Sequence, residues 1–207
     1  ADRWLVPHSV RDTSGFSQGM NLVGLYRLQL EAGDYVLTML ARDRYDASRR
    51  DSVSVRLPIR LYSTTEPALS DVELASVIRQ GTKGGIFYKN TLDVVPNVGG
   101  MFSEDQKCFY YVEAYNLLVN ADTADFVVRT NLYDAVGKEI ISRERPRKRA
   151  GESSVIIDQF PVKNLRTGTY SLVLSLLGAE GKPISSAGRK LFVFNPTLGV
   201  DSTLLSA

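Results

Sequence analysis

Leu165-Arg166-Thr167-Gly168-Thr169-Tyr170-Ser171-Leu172-Val173-Leu174 is the stretch whose reading decides the fold. Leu30-Glu31-Ala32-Gly33-Asp34-Tyr35-Val36-Leu37-Thr38-Met39 repeats it at an offset of 135 residues, with Leu, Gly, Tyr and Leu in matching places. After each glycine the side chains alternate, so Tyr170, Leu172 and Leu174 share one face, as do Tyr35, Leu37 and Met39. Each copy therefore opens a β-strand, and each is followed by a second alternating run that closes a hairpin. The repeat points to two β-modules in tandem.

Working outward from the first copy, Leu22 to Leu30 places Leu22, Gly24, Tyr26, Leu28 and Leu30 on one face and is expected to be a strand. The polar Asp43 to Asp51 stretch reads as a loop rich in arginine and aspartate. Beyond it Val53, Val55, Leu57, Ile59 and Leu61 alternate with Ser54, Arg56, Pro58 and Arg60, the clearest strand signal in the chain. Pro58 cannot donate to a ladder, which places this strand at an edge or at a bulge. Residues 1–21 read as irregular, with Trp4-Leu5-Val6 as a short strand at most.

Ser63 to Pro67 is short, polar and proline-stopped, so residues 65–69 are expected to be a linker between a first module over 1–64 and a second over 70–196. Ser70 with Glu73 fits a helical capping box. Val72, Leu74, Ser76 and Ile78 also fit a period of two, and with nothing else helical in the chain a strand is favoured. Further strands are expected over Ile86 to Val95, Cys108 to Leu117, Phe126 to Ala135, Glu139 to Arg145, Ser154 to Asp158, Tyr170 to Leu177 and Arg189 to Phe194. Turns fall at Val136-Gly137-Lys138 and Glu180-Gly181-Lys182. About eight strands suffice for a β-sandwich. The fold class is all-β, as tandem Ig-like or fibronectin-like antiparallel sandwiches. Tyr35 and Tyr170, two residues after a turn glycine, match the tyrosine corner of such folds, where the ring is buried and the hydroxyl bonds to nearby backbone.

The first module is incomplete by strand count, with about four strands where a sandwich usually takes about seven. Upstream strands, the second domain or another chain adding strands by β-augmentation are the three possible complements. Residues 197–207 read as a tail or linker, and Thr197, Leu198 and Val200 mark it as a possible donor segment.

Composition excludes several functions. Charges nearly cancel, with 25 Lys and Arg against 23 Asp and Glu and a net charge of +2, so no global field attracts nucleic acid. No apolar run approaches the ~18 residues of a membrane helix. Catalysis is not expected: His8 and Cys108 are the single histidine and cysteine, far apart in sequence, and leave no nucleophile–base arrangement. Cys108 reads as a small buried thiol. Gly81-Thr82-Lys83-Gly84-Gly85 lacks phosphate-loop spacing, and Asp43, Asp46 and Asp51 lack that of an EF-hand, so neither cofactor nor metal is expected.

Two features remain as candidate contact sites. Arg143, Arg145, Arg147, Lys148 and Arg149 form a basic run around Glu144 and Pro146, placed in a connection between strands, where solvation is favoured and contact with acidic lipopolysaccharide or a partner protein is the alternative. Tyr110, Tyr111 and Tyr115 lie on one strand, with Tyr111 and Tyr115 on one face and Tyr110 on the other. They serve packing or, alternatively, a glycan-binding aromatic face.

Leu69-Ser70-Asp71-Val72-Glu73-Leu74-Ala75, Phe87 to Asn97, Tyr110 to Leu117 and Phe192-Val193-Phe194-Asn195-Pro196 resemble the β-rich region of bacterial GWxTD-domain-containing proteins, found mainly in the Bacteroidota and Chlorobi-related lineages. The resemblance spans roughly residues 22–200 and is strongest over 69–196. The naming motif itself is absent, since Trp4 is followed by Leu5 and Val6. The resemblance carries over no catalytic residue. It implies export across the inner membrane, hence an extracytoplasmic location. The expected role is a non-catalytic structural or protein-interaction module of an exported envelope or surface protein, assembling through edge-strand or donor-strand contacts; a glycan-binding module is the alternative.

Overall fold

The computed structural model describes residues 25–119, 125–178 and 180–200. The segment 1–21 and the end of the tail, 201–207, lie outside the described residues. Within them the chain is all-β, arranged as one β-sandwich preceded by a free hairpin.

The hairpin consists of β1 (Gly33–Arg42) and β2 (Arg50–Ile59), paired antiparallel from Gly33 opposite Ile59 to Arg42 opposite Arg50. They form a two-stranded sheet, so both strands are edges and Pro58 sits where it costs no ladder bond. Leu25 to Leu30, expected to be a strand, belongs to no sheet. Its Tyr26, Leu28 and Leu30 instead line a groove with Leu37, Leu57 and Ile59. Alternation placed its apolar face correctly; the segment uses that face as a wall of the groove without joining a ladder.

The sandwich begins earlier than the linker expectation allowed. Ala68 and Leu69 form β3 (Ala68–Leu69), both buried and paired with β8 (Lys107–Tyr115), because two apolar side chains next to Pro67 gain more from the core than from solvent. The Ser70 to Ile78 ambiguity resolves as β4 (Glu73–Gln80). The run Ile86 to Val95 is split into β5 (Tyr88–Lys89) and β6 (Leu92–Pro96). Asn90 and Thr91 between them take φ of 46° and 67°, the two left-handed residues of a tight hairpin turn. Asparagine tolerates that region, but for the β-branched Thr91 it is strained. Gly81, just after β4, packs against the same turn: its amide donates to the Thr91 carbonyl, and a Cβ there would lie 2.5 Å from the Leu92 carbonyl carbon.

The remaining strands are β7 (Met101–Ser103), β9 (Asp125–Tyr133), β10 (Glu139–Lys148), β11 (Ser154–Pro161), β12 (Gly168–Leu177) and β13 (Pro183–Phe194). One sheet runs β10-β9-β12-β13-β7, with β7 parallel to β13; the other runs β11-β8-β4-β6-β5, with β3 beside β8. Between them lies the core. Cys108, Tyr110, Val112 and Ala114 of β8 and Ile156 of β11 meet Phe126, Val128 and Leu132 of β9, Leu172, Leu174 and Leu176 of β12 and Leu191 and Val193 of β13. The alternation of β8 continues on its other face, where Tyr111 is buried with Ala75 and Val94 in a small second cluster. No residue of β1 or β2 belongs to either cluster.

Candidate interaction surfaces

The tyrosine-corner expectation can be measured in both copies of the repeat. Tyr170 Oη donates to the Arg166 carbonyl at 3.0 Å, and Tyr35 Oη donates to the Glu31 carbonyl at 3.1 Å. The local backbone is therefore the same, and only its burial differs. Tyr170, Leu172 and Leu174 are buried in the sandwich. Tyr35 and Leu37 are half-buried, and Met39 is 43% exposed. Opposite them, Leu57, Val55 and Val53 complete a wholly apolar face, with Val55 at 47% and Val53 at 50%. The groove formed with Tyr26, Leu28 and Leu30 has a volume near 420 Å³. A contiguous apolar sheet face of this kind is the mark of a contact surface.

The basic run is not where it was expected. Arg143 to Lys148 continue β10, because an edge strand needs donors on one side only and so tolerates Pro146. Arg143, Arg145 and Arg147 stand opposite Thr130, Val128 and Phe126, on the face turned toward the sandwich. They line a small cleft at its open seam with Tyr110, Ile156 and Asp158. Arg145 pairs with Asp158 at 3.1 Å, and Arg147 Nη2 reaches the Ile157 carbonyl at 3.5 Å. Arg149 lies past the strand, where Nη1 donates to the Leu117 carbonyl at 2.5 Å and Nε to that of Asp125 at 3.1 Å. The guanidiniums thus lock the seam and block edge pairing of β10. Lys148 falls on the opposite face, so the five cations do not converge.

The tail residues are likewise tied down. Thr167 bridges Val200 in parallel, Leu198 N donates to Asn195 Oδ1 at 3.0 Å, and Arg166 Nη1 donates to the Leu198 carbonyl at 3.4 Å. Asn195 anchors this arrangement: wholly buried, its Nδ2 donates to the carbonyls of Lys163 and Leu165 at 2.9 and 2.8 Å. Leu198 and Val200 are therefore tied to the end of their own sandwich, while Thr197 is exposed beside them. Beyond its place after a strand and before Pro196, nothing in the residues around Asn195 marks it as the organising side chain.

The tyrosines of β8 are also structural. Tyr110 is in the core, hydrogen-bonded to Thr130 at 3.2 Å, and burial pushes its hydroxyl up to about 12. Tyr111 and Tyr115 both donate to Glu113, at 2.6 and 2.7 Å, while Asn90 Nδ2 donates to Tyr111 Oη at 2.6 Å. Lys89 lies 4.2 Å from the centroid of the Tyr111 ring and 3.6 Å from the Glu113 carboxylate. Burial works to raise the Glu113 pKa, but the two tyrosine hydroxyls and Lys89 outweigh it and hold the carboxylate below its ordinary value. This cluster, missed in the sequence, pins the strained Asn90-Thr91 turn onto β8. Only Tyr115, tilted against Tyr62 at 5.2 Å between centroids, reaches solvent, so β8 presents no three-tyrosine platform for a sugar.

Cys108 is fully buried, and burial pushes its thiol up to about 12, which makes it a core residue without nucleophilic character. In the arginine–aspartate loop, Asp43 accepts from the amides of Tyr45 and Asp46, and Asp46 accepts from Ser48 and Arg49, so these carboxylates shape the turn. Among the described residues no cluster of acidic, histidine and cysteine side chains is placed to hold a metal ion, and no helix is long and apolar enough to cross a membrane.

No protein-family model matches the chain, and no curated protein does. Solved structures similar to it include the CARDB domain of a Pyrococcus furiosus protein in complex with di-metal ions, 13% identical over 65% of this chain and 95% of that one, with a TM-score of 0.37. Two β-glucuronidases are also similar. That of Bifidobacterium dentium is 10% identical over 70% of this chain, with a TM-score of 0.34, and that of Bacteroides uniformis is 11% identical over 70%, with a TM-score of 0.36. This chain spans 19% and 15% of those two enzymes. The strand pairing itself gives the class: an all-β protein built on a two-sheet β-sandwich.

Proposed function

We propose that the chain is a non-catalytic structural and protein-interaction module of an exported bacterial envelope or surface protein. The observation that carries this reading is the β1–β2 hairpin, whose apolar face repeats the pattern of the core hairpin β12–β13 and yet lies open. An isolated two-stranded hairpin is only marginally stable, and a third strand or a covering layer is what makes such a face favourable. Its complement is a polypeptide, because unpaired strand edges are satisfied by backbone. Among the described residues, Cys108, Tyr110 and the Glu113 cluster, whose pKa values are shifted, are engaged in packing and supply no convergent acid–base pair. The resemblance of residues 69–196 to the GWxTD-containing proteins supports export.

The test is a photo-cross-linking residue at Val55, irradiated in the cells that make the protein, with the adduct identified by mass spectrometry. A polypeptide adduct of discrete mass is expected. A glycan or lipid adduct, or an unmodified chain at every expression level, would overturn the reading.

A further inference from the structure

The outer edges of the described sheets are not equivalent. β10 is blocked by inward arginines, and β2 carries Arg56 and Pro58, with Arg60 just past its end. Strand β1 has no proline from Gly33 to Arg42, and its charges stand at its two ends, Asp34 and Arg42. In the core copy of the repeat, the corresponding edge of β12 is taken by an antiparallel strand, β9.

The β1 sequence is complementary to itself when read antiparallel about Thr38. On its polar face the order is Asp34, Val36, Thr38, Leu40, Arg42, so a second β1 would set each Asp34 opposite an Arg42 and each Val36 opposite a Leu40. Val36 and Leu40 are otherwise unaccounted for: they are 67% and 69% exposed on a face shared with Ser52, Ser54 and Arg56. On the apolar face the same register sets Leu37 against Met39 and Tyr35 against Ala41, large beside small. An interface related by a two-fold axis requires this kind of self-complementarity.

We propose that a second copy of this chain occupies the β1 edge, pairing β1 with β1 antiparallel about Thr38 into a four-stranded sheet β2-β1-β1-β2. This rests on reading the chain as an interaction module and names its partner. Four strands with one apolar face reach the size at which a small sheet becomes stable, which two do not.

Disulfide trapping and charge exchange test the register. Thr38→Cys should yield a cross-linked dimer on mild oxidation, since the two-fold centre brings residue 38 against itself; Cys108, fully buried, gives no background. Val36→Cys and Leu40→Cys should each stay uncross-linked alone and join when mixed. Arg42→Asp should weaken the dimer about tenfold in sedimentation equilibrium by facing two pairs of like charges, and Asp34→Arg with Arg42→Asp should restore it. Failure of Thr38→Cys to cross-link, or indifference of the dimer to both charge variants, would overturn the proposal. If the Val55 photo-adduct is then a different polypeptide, the module reading stands and only self-pairing falls; if no polypeptide is trapped, both fall.

Discussion

The hairpins β12–β13 and β1–β2 share a turn glycine, a tyrosine-corner hydrogen bond of 3.0 and 3.1 Å, and an apolar face that begins Tyr, Leu. One is the centre of a packed sandwich; the other, among the described residues, has nothing over most of that face. Local sequence specifies the ribbon and which side of it is apolar. It does not specify what covers that side, and the energetic value of each shared residue depends on that cover.

Leu172 and Leu37 occupy matching positions and should separate most widely. Leu172→Ala leaves a cavity in a closed core and should cost about 3–4 kcal/mol in urea or guanidinium unfolding, whereas Leu37→Ala, half-exposed, should cost under about 1 kcal/mol. Equal losses would mean that the first hairpin is packed in solution as tightly as the second. Asn195→Ala comes next, at about 2–3 kcal/mol, because it strands the buried Leu165 carbonyl, removes the partner of the Lys163 carbonyl and frees the end of the sandwich from Leu198. The first hairpin has no such clamp among the described residues.

Tyr170→Phe should cost about 1 kcal/mol and Tyr35→Phe less than about 0.5 kcal/mol, since water replaces the exposed bond more readily than the buried one. Thermal denaturation of the two single variants resolves this difference. The smallest effect is that of pH. The folded pKa of Glu113 is depressed, so its contribution is present above the ordinary glutamate value and is lost as pH falls through the lowered folded value. Glu113→Gln should flatten that acid limb of the denaturation midpoint. An unchanged acid limb would show that the carboxylate does not hold the Asn90-Thr91 turn.

The strands that could be read in advance, β1, β2, β4 and β8 through β13, each span eight residues or more, long enough to separate a period of two from chance. Apart from Leu25 to Leu30, whose alternation serves the groove and no ladder, the misread elements are short or interrupted. Ala68-Leu69 and Met101–Ser103 are too brief to show a period, and the break in Ile86 to Val95 depends on Asn90 and Thr91, neither of which advertises a left-handed backbone. The basic run was legible as charge but not as position: Pro146 reads as a strand terminator unless the strand is known to lie at an edge.

The sequence by itself determined the all-β class, the two copies of the glycine–tyrosine hairpin and the shortfall of strands in the first module, because alternation, turn residues and repeats are local properties of the chain. Only the tertiary structure decided that the arginines lock a seam, that the tail closes its own sandwich around Asn195, and that the tyrosines of β8 are turned to packing. Each of those depends on which residues distant in sequence meet, and a burial partner is not written in the residues that are buried.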